Sequence, residues 1–382
     1  MRILHITTTV GTGGAERTLL NVVAEGEVHG ARHGVVALRR EGSLAEPLSA
    51  AGADVWNCGL RAGHASLDAA RIIRRIMAGF APDIVQGWMY HGNLAGCLAK
   101  TFRRAGPPLV WGIHHSIDDI NDEKWMTRAL IRLGARLSRW PSRIIYVSRA
   151  SRRQHRALGY RDQRATIIPN GFDCERFRPR LEARERLRRA LDLTGDTIVL
   201  GKVAVVRPMK DHANLFRACA LLEARGLSFH VVLIGRLATE ENSDLMELIR
   251  RAGVRDRVSL LGERHDMPTL MAGLDGLVVS SAWGEAFPIV LGEAMASGVP
   301  CVTTDVGDSA RIVGDTGIVV PPRNPESLTE GMARLITMGA ESRRRLGMRA
   351  RARVEERFRL ADVVRRYYEL YHGIAPPIER VA

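Results

Sequence analysis

Apolar residues in this chain fall into two alternating patterns that run from the N-terminus to about residue 340. Short β-branched runs, apolar on successive residues, occupy 2–8, 34–38, 83–86, 109–113 and 143–147. Such runs predict strands buried on both faces. Between them, at 15–24, 67–80, 92–104 and 125–138, the apolar residues recur at helical spacing. This alternation predicts a parallel sheet with helices on both sides. The series then repeats. Strands are expected at 197–203, 230–234, 258–261, 276–280, 301–303 and 318–320, and helices at 210–225, 240–252, 288–296 and 325–338. An Arg-rich stretch, 341–371, reads as one or two long helices.

Between the two series lies Ile168-Pro169-Asn170-Gly171-Phe172-Asp173, whose Pro and Asn-Gly are turn formers and suit a hinge. The expected architecture is α/β, with two doubly wound domains facing a cleft and ligands beyond the carboxyl ends of the strands. The first domain is expected over 1–170, joined by a C-terminal helix at 357–382, and the second over 171–356. A chain of 382 residues is long enough for two such cores.

Composition narrows the class. Hydrophobic residues at 46% and charged residues at 26% are those of a globular protein. No signal peptide is read at the N-terminus, and no run of about 18 apolar residues suggests a membrane span. Five scattered cysteines form neither a disulfide framework nor a metal-ligand spacing, which suits a reducing cytoplasm. The net charge of +14 is concentrated: fifteen Lys and Arg face five Asp and Glu between Lys100 and Arg164. Such a field attracts polyanions.

Three places could carry chemistry. After the first strand, Val10-Gly11-Thr12-Gly13-Gly14-Ala15-Glu16 can bring backbone close to a phosphate at a helix start. It is not a dinucleotide fingerprint, because Glu16 stands where the third glycine of that motif is needed. After the first strand of the second half come Arg207 and Lys210, a fork and a point charge suited to a diphosphate. After the strand at 276–280, the loop Ala282-Trp283-Gly284-Glu285-Ala286-Phe287 precedes a helix with Pro288 expected in its first turn and Glu293 further along. Carboxylates accept hydrogen bonds from sugar hydroxyls.

Together, Gly13-Gly14-Ala15-Glu16-Arg17, the Ile168–Asp173 hexapeptide, Arg207 with Lys210, and the Glu285-to-Pro300 stretch with its two glutamates eight apart resemble the retaining family-4 glycosyltransferases. The match runs in order from about residue 1 to residue 322. The resemblance implies the GT-B fold, two Rossmann-like domains facing an interdomain cleft, and transfer of a hexosyl group from a UDP- or GDP-sugar to a glycan or lipid-linked acceptor, as in cell-surface polysaccharide synthesis. It implies that Glu285, with the amides of Ala286 and Phe287, holds the donor sugar and that Glu293 holds the ribose. Arg207 and Lys210 would neutralise the diphosphate, Gly13 and Gly14 would close on phosphate and acceptor, and His114 (or its neighbour His115) would lie near the reacting sugar. Pro288 has no N–H, so one amide fewer reaches the sugar than in relatives with glycine there. No cofactor and no metal are expected, the nucleotide-sugar being the donor substrate.

Arg128, Arg132, Arg136 and Arg139 recur at helical spacing between Trp125 and Trp140, which suits peripheral contact with an anionic membrane at the inner face. Two other functions are compatible with these features: a nucleotide-sugar epimerase of the same architecture and, more distantly, a nucleic-acid-binding protein. The chain lacks the signature motifs of the latter.

Overall fold

The structure, a computed structural model, describes residues 1–11, 13–39, 42–60, 67–102, 106–193 and 197–375. The chain divides into two units, Met1–Gly171 with Leu360–Ala382, and Phe172–Arg359.

The first unit contains seven strands: β1 (Arg2–Thr7), β2 (Arg32–Ala37), β3 (Asp54–Asn57), β4 (Ile84–Trp88), β5 (Leu109–Ile113), β6 (Arg143–Tyr146) and β7 (Ala165–Ile167). They pair in the order β3-β2-β1-β4-β5-β6-β7, parallel throughout. Helices α1 (Gly14–Ala24), α2 (Ala45–Ala50), α3 (Leu67–Phe80), α4 (Met89–Thr101), α5 (Trp125–Leu137) and α6 (Arg149–Ala157) connect them. Alternation along β1 sends Leu4 and Ile6 to a core with α3, α4 and α5, and Ile3 to a second core with α1.

The second unit carries α7 (Ala183–Ala190), β8 (Ile198–Val203), α8 (His212–Ala224), β9 (Phe229–Ile234), α9 (Ser243–Ala252), β10 (Val258–Leu260), α10 (Met267–Ala272) and β11 (Gly276–Val279). It continues with α11 (Ile289–Ala296), β12 (Cys301–Thr304), α12 (Ser309–Val313), β13 (Ile318–Val320), α13 (Pro325–Thr337) and α14 (Ala340–Arg357). Its parallel sheet has the order β10-β9-β8-β11-β12-β13. The 341–371 stretch is two helices, because Phe358 turns inward against Phe172 and Phe287 and ends α14. The second of them, α15 (Leu360–His372), packs Val363, Val364, Tyr367, Tyr368 and Tyr371 into the first unit.

Both sheets have the two-Rossmann-like-domain character of the GT-B fold. The apolar runs all became strands. The short edge strands β3 and β7 and helices α6 and α7 lacked that signal. The inward face of α6 is Ala150, Ser151 and His155, and that of α7 is Ala183, Leu187 and Arg188, so polar side chains interrupt the short apolar face of each. The end of the helix expected at 92–104 and the last residues of the 357–382 segment lie outside the described residues.

Packing of α15 brings in a chain of buried polar groups. Trp88 Nε1 donates to His5 Nδ1 at 3.1 Å, and the His5 and His33 rings meet at 2.8 Å. His33 Nε2 lies 2.9 Å from the Tyr368 hydroxyl, which donates to the Val22 carbonyl at 2.7 Å. Burial holds His5 well below the usual histidine value, with the neighbouring His33 adding to it, and pulls both His33 and His155 to about 4. These imidazoles are neutral in the fold. Their contribution is intact above pH 6.5 and is lost as the pH falls from about 6.5 to about 4, because only the unfolded chain takes up protons there. At pH 5 the loss is about 2 kcal/mol each for His33 and His155. Hydrogen exchange compared at pH 7.5 and pH 5 should therefore show the first unit, which buries His5, His33, His114 and His155, losing more protection than the second, where burial lowers His212 and His230; equal loss in both units would contradict this.

Candidate functional site

The strand order of the second unit reverses between β8 and β11, which pair directly through Leu200 with Gly276 and Gly201 with Leu277. In an open parallel sheet this is where a crevice opens beyond the carboxyl ends. The chain leaving β8 passes exposed Arg207, makes a single 3₁₀ turn at Pro208–Lys210, and takes a left-handed conformation at Asp211 (φ 46°, ψ 59°). The Asp211 side chain accepts from the Asn214 amide at 3.1 Å and so caps α8. The chain leaving β11 runs alongside. Ala282 N donates to the Met209 carbonyl at 2.9 Å, and the Ser280 hydroxyl lies 3.0 Å from the Asp211 carbonyl.

These ties bring Lys210 and Glu285 together although 75 residues separate them. Lys210 Nζ forms an ion pair with Glu285 Oε1, and the Ser281 hydroxyl donates to the same oxygen at 2.7 Å. The carboxyl side chain is 10% exposed and the lysine 21%. Burial pushes the Glu285 carboxyl up, but the Lys210 ammonium, the hydrogen bonds from Lys210 and Ser281, and the charge of Lys202 outweigh it and hold it below its ordinary value. Glu285 is a buried carboxylate poised at a strand end, with a cation beside it.

Its loop is anchored on both sides. Phe287 stacks on Phe172, with ring centroids 6.1 Å apart, and meets Phe358 edge-on at 5.5 Å. The Ala286 carbonyl accepts from the Asp308 amide at 3.2 Å. Pro288 departs from expectation: its extended backbone (φ −65°, ψ 113°) makes it the cap, and the helix starts at Ile289. Glu293 is buried on that helix, 8% exposed. Arg207 differs from the rest in being exposed: its carbonyl accepts from the Lys210 amide at 2.9 Å, but no side-chain hydrogen bond or ion pair among the described residues joins it to Lys210 or Glu285.

In the first unit the strand order reverses between β1 and β4. Gly13 caps α1, and Gly14 opens it. The Glu16 carboxylate folds back over Gly13, where a Cβ would sit 2.3 Å from Oε2, and accepts from the Thr9 hydroxyl at 3.2 Å. Thr18 Oγ1, one turn on from Gly14, donates to Asn170 Oδ1 at 3.0 Å. His114 follows β5 with its ring 5.3 Å from that of Trp88, and both ring nitrogens are buried without a hydrogen-bond partner among the described residues. Burial outweighs the opposing effect of Asn170 and pulls His114 to about 4, so the ring is neutral at physiological pH. His115 instead pairs with Glu123 at 2.6 Å. The Thr18–Asn170 hydrogen bond ties the start of α1 to the end of the first segment of this unit. Thr18, Trp88, Ser280 and Ser281 were not singled out by sequence, since nothing in their spacing marks them.

Two family models match this chain: Glycosyltransferase Family 4 over residues 12–176 and Glycosyl transferases group 1 over residues 183–353. The chain belongs to the group 1 glycosyltransferases. It is 34% identical over 231 residues to an exopolysaccharide phosphotransferase of Streptomyces coelicolor, covering 60% of the chain and 23% of that protein. It is 26% identical to the MMP α-(1→4)-mannosyltransferase of Mycolicibacterium hassiacum, over 80% of the chain and 74% of the relative. Against curated relatives that match above 30% identity, the chain spans from about a quarter to half of their length. The crystal structure of HepE from Anabaena, solved with UDP and glucose, superimposes with a TM-score of 0.83 at 23% identity, covering 98% of this glycosyltransferase-family chain and all of HepE. That likeness is one of fold.

Proposed function

We propose that this protein transfers a sugar from a nucleotide-sugar to a glycan or lipid-linked acceptor, with retention at the anomeric carbon and no divalent metal. The observation that carries the reading is the pair of part-exposed Lys210 and buried Glu285 at the switch point of the second sheet. A diphosphate arriving there draws the ammonium and frees Glu285 Oε1 to accept from a sugar hydroxyl, so a neutral pair becomes a grip on both halves of a donor. Charge building on the departing diphosphate is stabilised by Lys210, with Arg207 close by in sequence, which is the electrostatic role a metal would otherwise fill. Glu293 is assigned to the ribose, and the amides of Ala286 and Phe287 to the sugar. Gly13, Gly14 and neutral His114 are assigned to the acceptor side in the first unit. UDP is the first nucleotide to try, because the similar fold of HepE was solved with it. Incubation with UDP-, GDP- and ADP-sugars and a panel of acceptors, in EDTA, should release nucleoside diphosphate, with the anomeric proton of the product in the donor's configuration. An inverted product, or turnover only with added Mg²⁺ or Mn²⁺, would overturn those parts of the proposal.

Peripheral membrane contact belongs to the same proposal. On α5 the outward face carries Trp125 (71% exposed), Met126 and Leu133, with Trp140 just beyond, among exposed Arg132, Arg136 and Arg139. Arg128 lies half-buried against Asn121. Aromatic and aliphatic groups among arginines suit the headgroup layer of an anionic bilayer. No helix among the described residues is long and apolar enough to cross a membrane. The protein should sediment with vesicles containing roughly 30% anionic lipid, and Arg132→Ala with Arg136→Ala should weaken this by about thirtyfold, near 1 kcal/mol per charge removed. Equal sedimentation with zwitterionic vesicles would remove the claim.

A further inference from the structure

Of 56 basic residues in the chain only four are lysines, at 100, 124, 202 and 210. Two of the four meet beneath the Glu285 loop. Lys202 rises from β8, is 2% exposed, and donates from Nζ to the Lys210 carbonyl and to the Ser280 hydroxyl, both at 2.8 Å. Ser280, fully buried at the end of β11, is also within hydrogen-bonding distance of the carbonyls of Lys210 and Asp211.

Burying an ammonium in a sheet costs several kcal/mol, and a methionine of similar volume would avoid that cost. The cation is therefore doing something a space-filling residue cannot. Its acceptors are the last carbonyl of the 3₁₀ turn that carries Lys210 and the hydroxyl at the root of the loop that carries Glu285. An arginine, the default cation of this chain, could not supply it: a compact ammonium aims its donors at converging acceptors, whereas the guanidinium is a wide planar fork.

We propose that Lys202 is a positioning residue of the donor site, tying the backbone of Lys210 to the end of β11 through Ser280 and placing a second cation beneath the Lys210–Glu285 pair. The proposal rests on the reading that this pair grips the donor. The charged and titratable groups around Lys202 are Lys210, Glu285, Asp211 and His212. Burial, with Lys210 acting in the same direction, pulls the Lys202 ammonium down to about 7, while Glu285 and Asp211 oppose the shift. In turn Lys202 is one of the charges that keep Glu285 ionised.

Two variants separate the tie from the charge. In Lys202→Met, the Glu285 carboxyl, followed by ¹³C NMR and identified by its absence in Glu285→Gln, should titrate higher than in the wild type. UDP affinity, measured by calorimetry, should weaken roughly tenfold. In Ser280→Ala the charge stays, so the Glu285 titration should be unchanged while UDP affinity falls by about threefold. A folded Lys202→Met protein with unaltered Glu285 titration and unaltered affinity overturns the proposal. If that variant does not fold, Ser280→Ala decides: wild-type affinity there overturns the tie. Should the wild type bind none of UDP, GDP or ADP, the donor reading fails, and the Glu285 titration in Lys202→Met still decides the role of Lys202.

Discussion

Lys210→Met is expected to lower sugar transfer by two to three orders of magnitude, roughly 3–4 kcal/mol of transition-state stabilisation, while the protein stays folded. The lysine is part-exposed and its backbone is held by other groups: its carbonyl accepts from Lys202, and neighbouring Met209 accepts from Ala282. Loss of the side chain therefore leaves the turn in place. It also leaves Glu285 buried without its strongest cation, so the carboxyl titrates higher and the pH–rate profile should lose activity first on its acid side. Arg207→Ala should cost much less, because that side chain is exposed and apart from the pair. Equal losses in the two variants would mean that the diphosphate is held differently from this account. The measurement is kcat/KM for both variants with the accepted donor, from pH 5.5 to pH 9.

Gly307→Ala is expected to damage stability and activity together. Gly307 has φ +63°, and a Cβ there would lie 1.7 Å from the Glu285 carbonyl oxygen. The left-handed backbone alone costs an alanine about 1 kcal/mol. Relief of the contact requires the Glu285 carbonyl to move, at a further 1–3 kcal/mol or so. Because the backbone that moves is that of Glu285, the carboxylate leaves its place beside Lys210 and Ser281. Thermal unfolding should fall by roughly 5–10 °C and transfer by at least about tenfold at temperatures where the variant is folded. Gly347→Ala makes a useful contrast: its Cβ would lie 1.9 Å from the Gly298 carbonyl oxygen, on α14 and against the turn that follows α11. It should destabilise the protein with a smaller effect on kcat/KM. The same loss of activity for the same loss of stability in both would show that Gly307 acts through folding alone.

Much of this was legible from residue order. Apolar runs such as Leu109–Ile113 and Phe229–Ile234 marked central strands because strands buried on both faces need no alternation. Edge strand β3, Asp-Val-Trp-Asn, is half-exposed, and so its polar ends resembled a loop. Glu285 and Lys210 were each visible as candidate site residues. Their pairing was not, since it depends on β11 lying next to β8 in the sheet while β9 and β10 lie on the other side. Buried polar groups were the least legible. Lys202 and the His5–His33–Tyr368 chain violate the pattern from which cores are read, and only three-dimensional neighbours explain how their charge or hydrogen bonds are satisfied.

The central claim is that the second unit grips a nucleoside diphosphate through Lys210 and Glu285. Calorimetric titration of the wild type and Lys210→Met with UDP, GDP and ADP tests it most directly. The account predicts one preferred nucleotide with a micromolar Kd and a loss of at least tenfold in the variant. No binding of any of the three by the wild type, or the same Kd in both proteins, would contradict it.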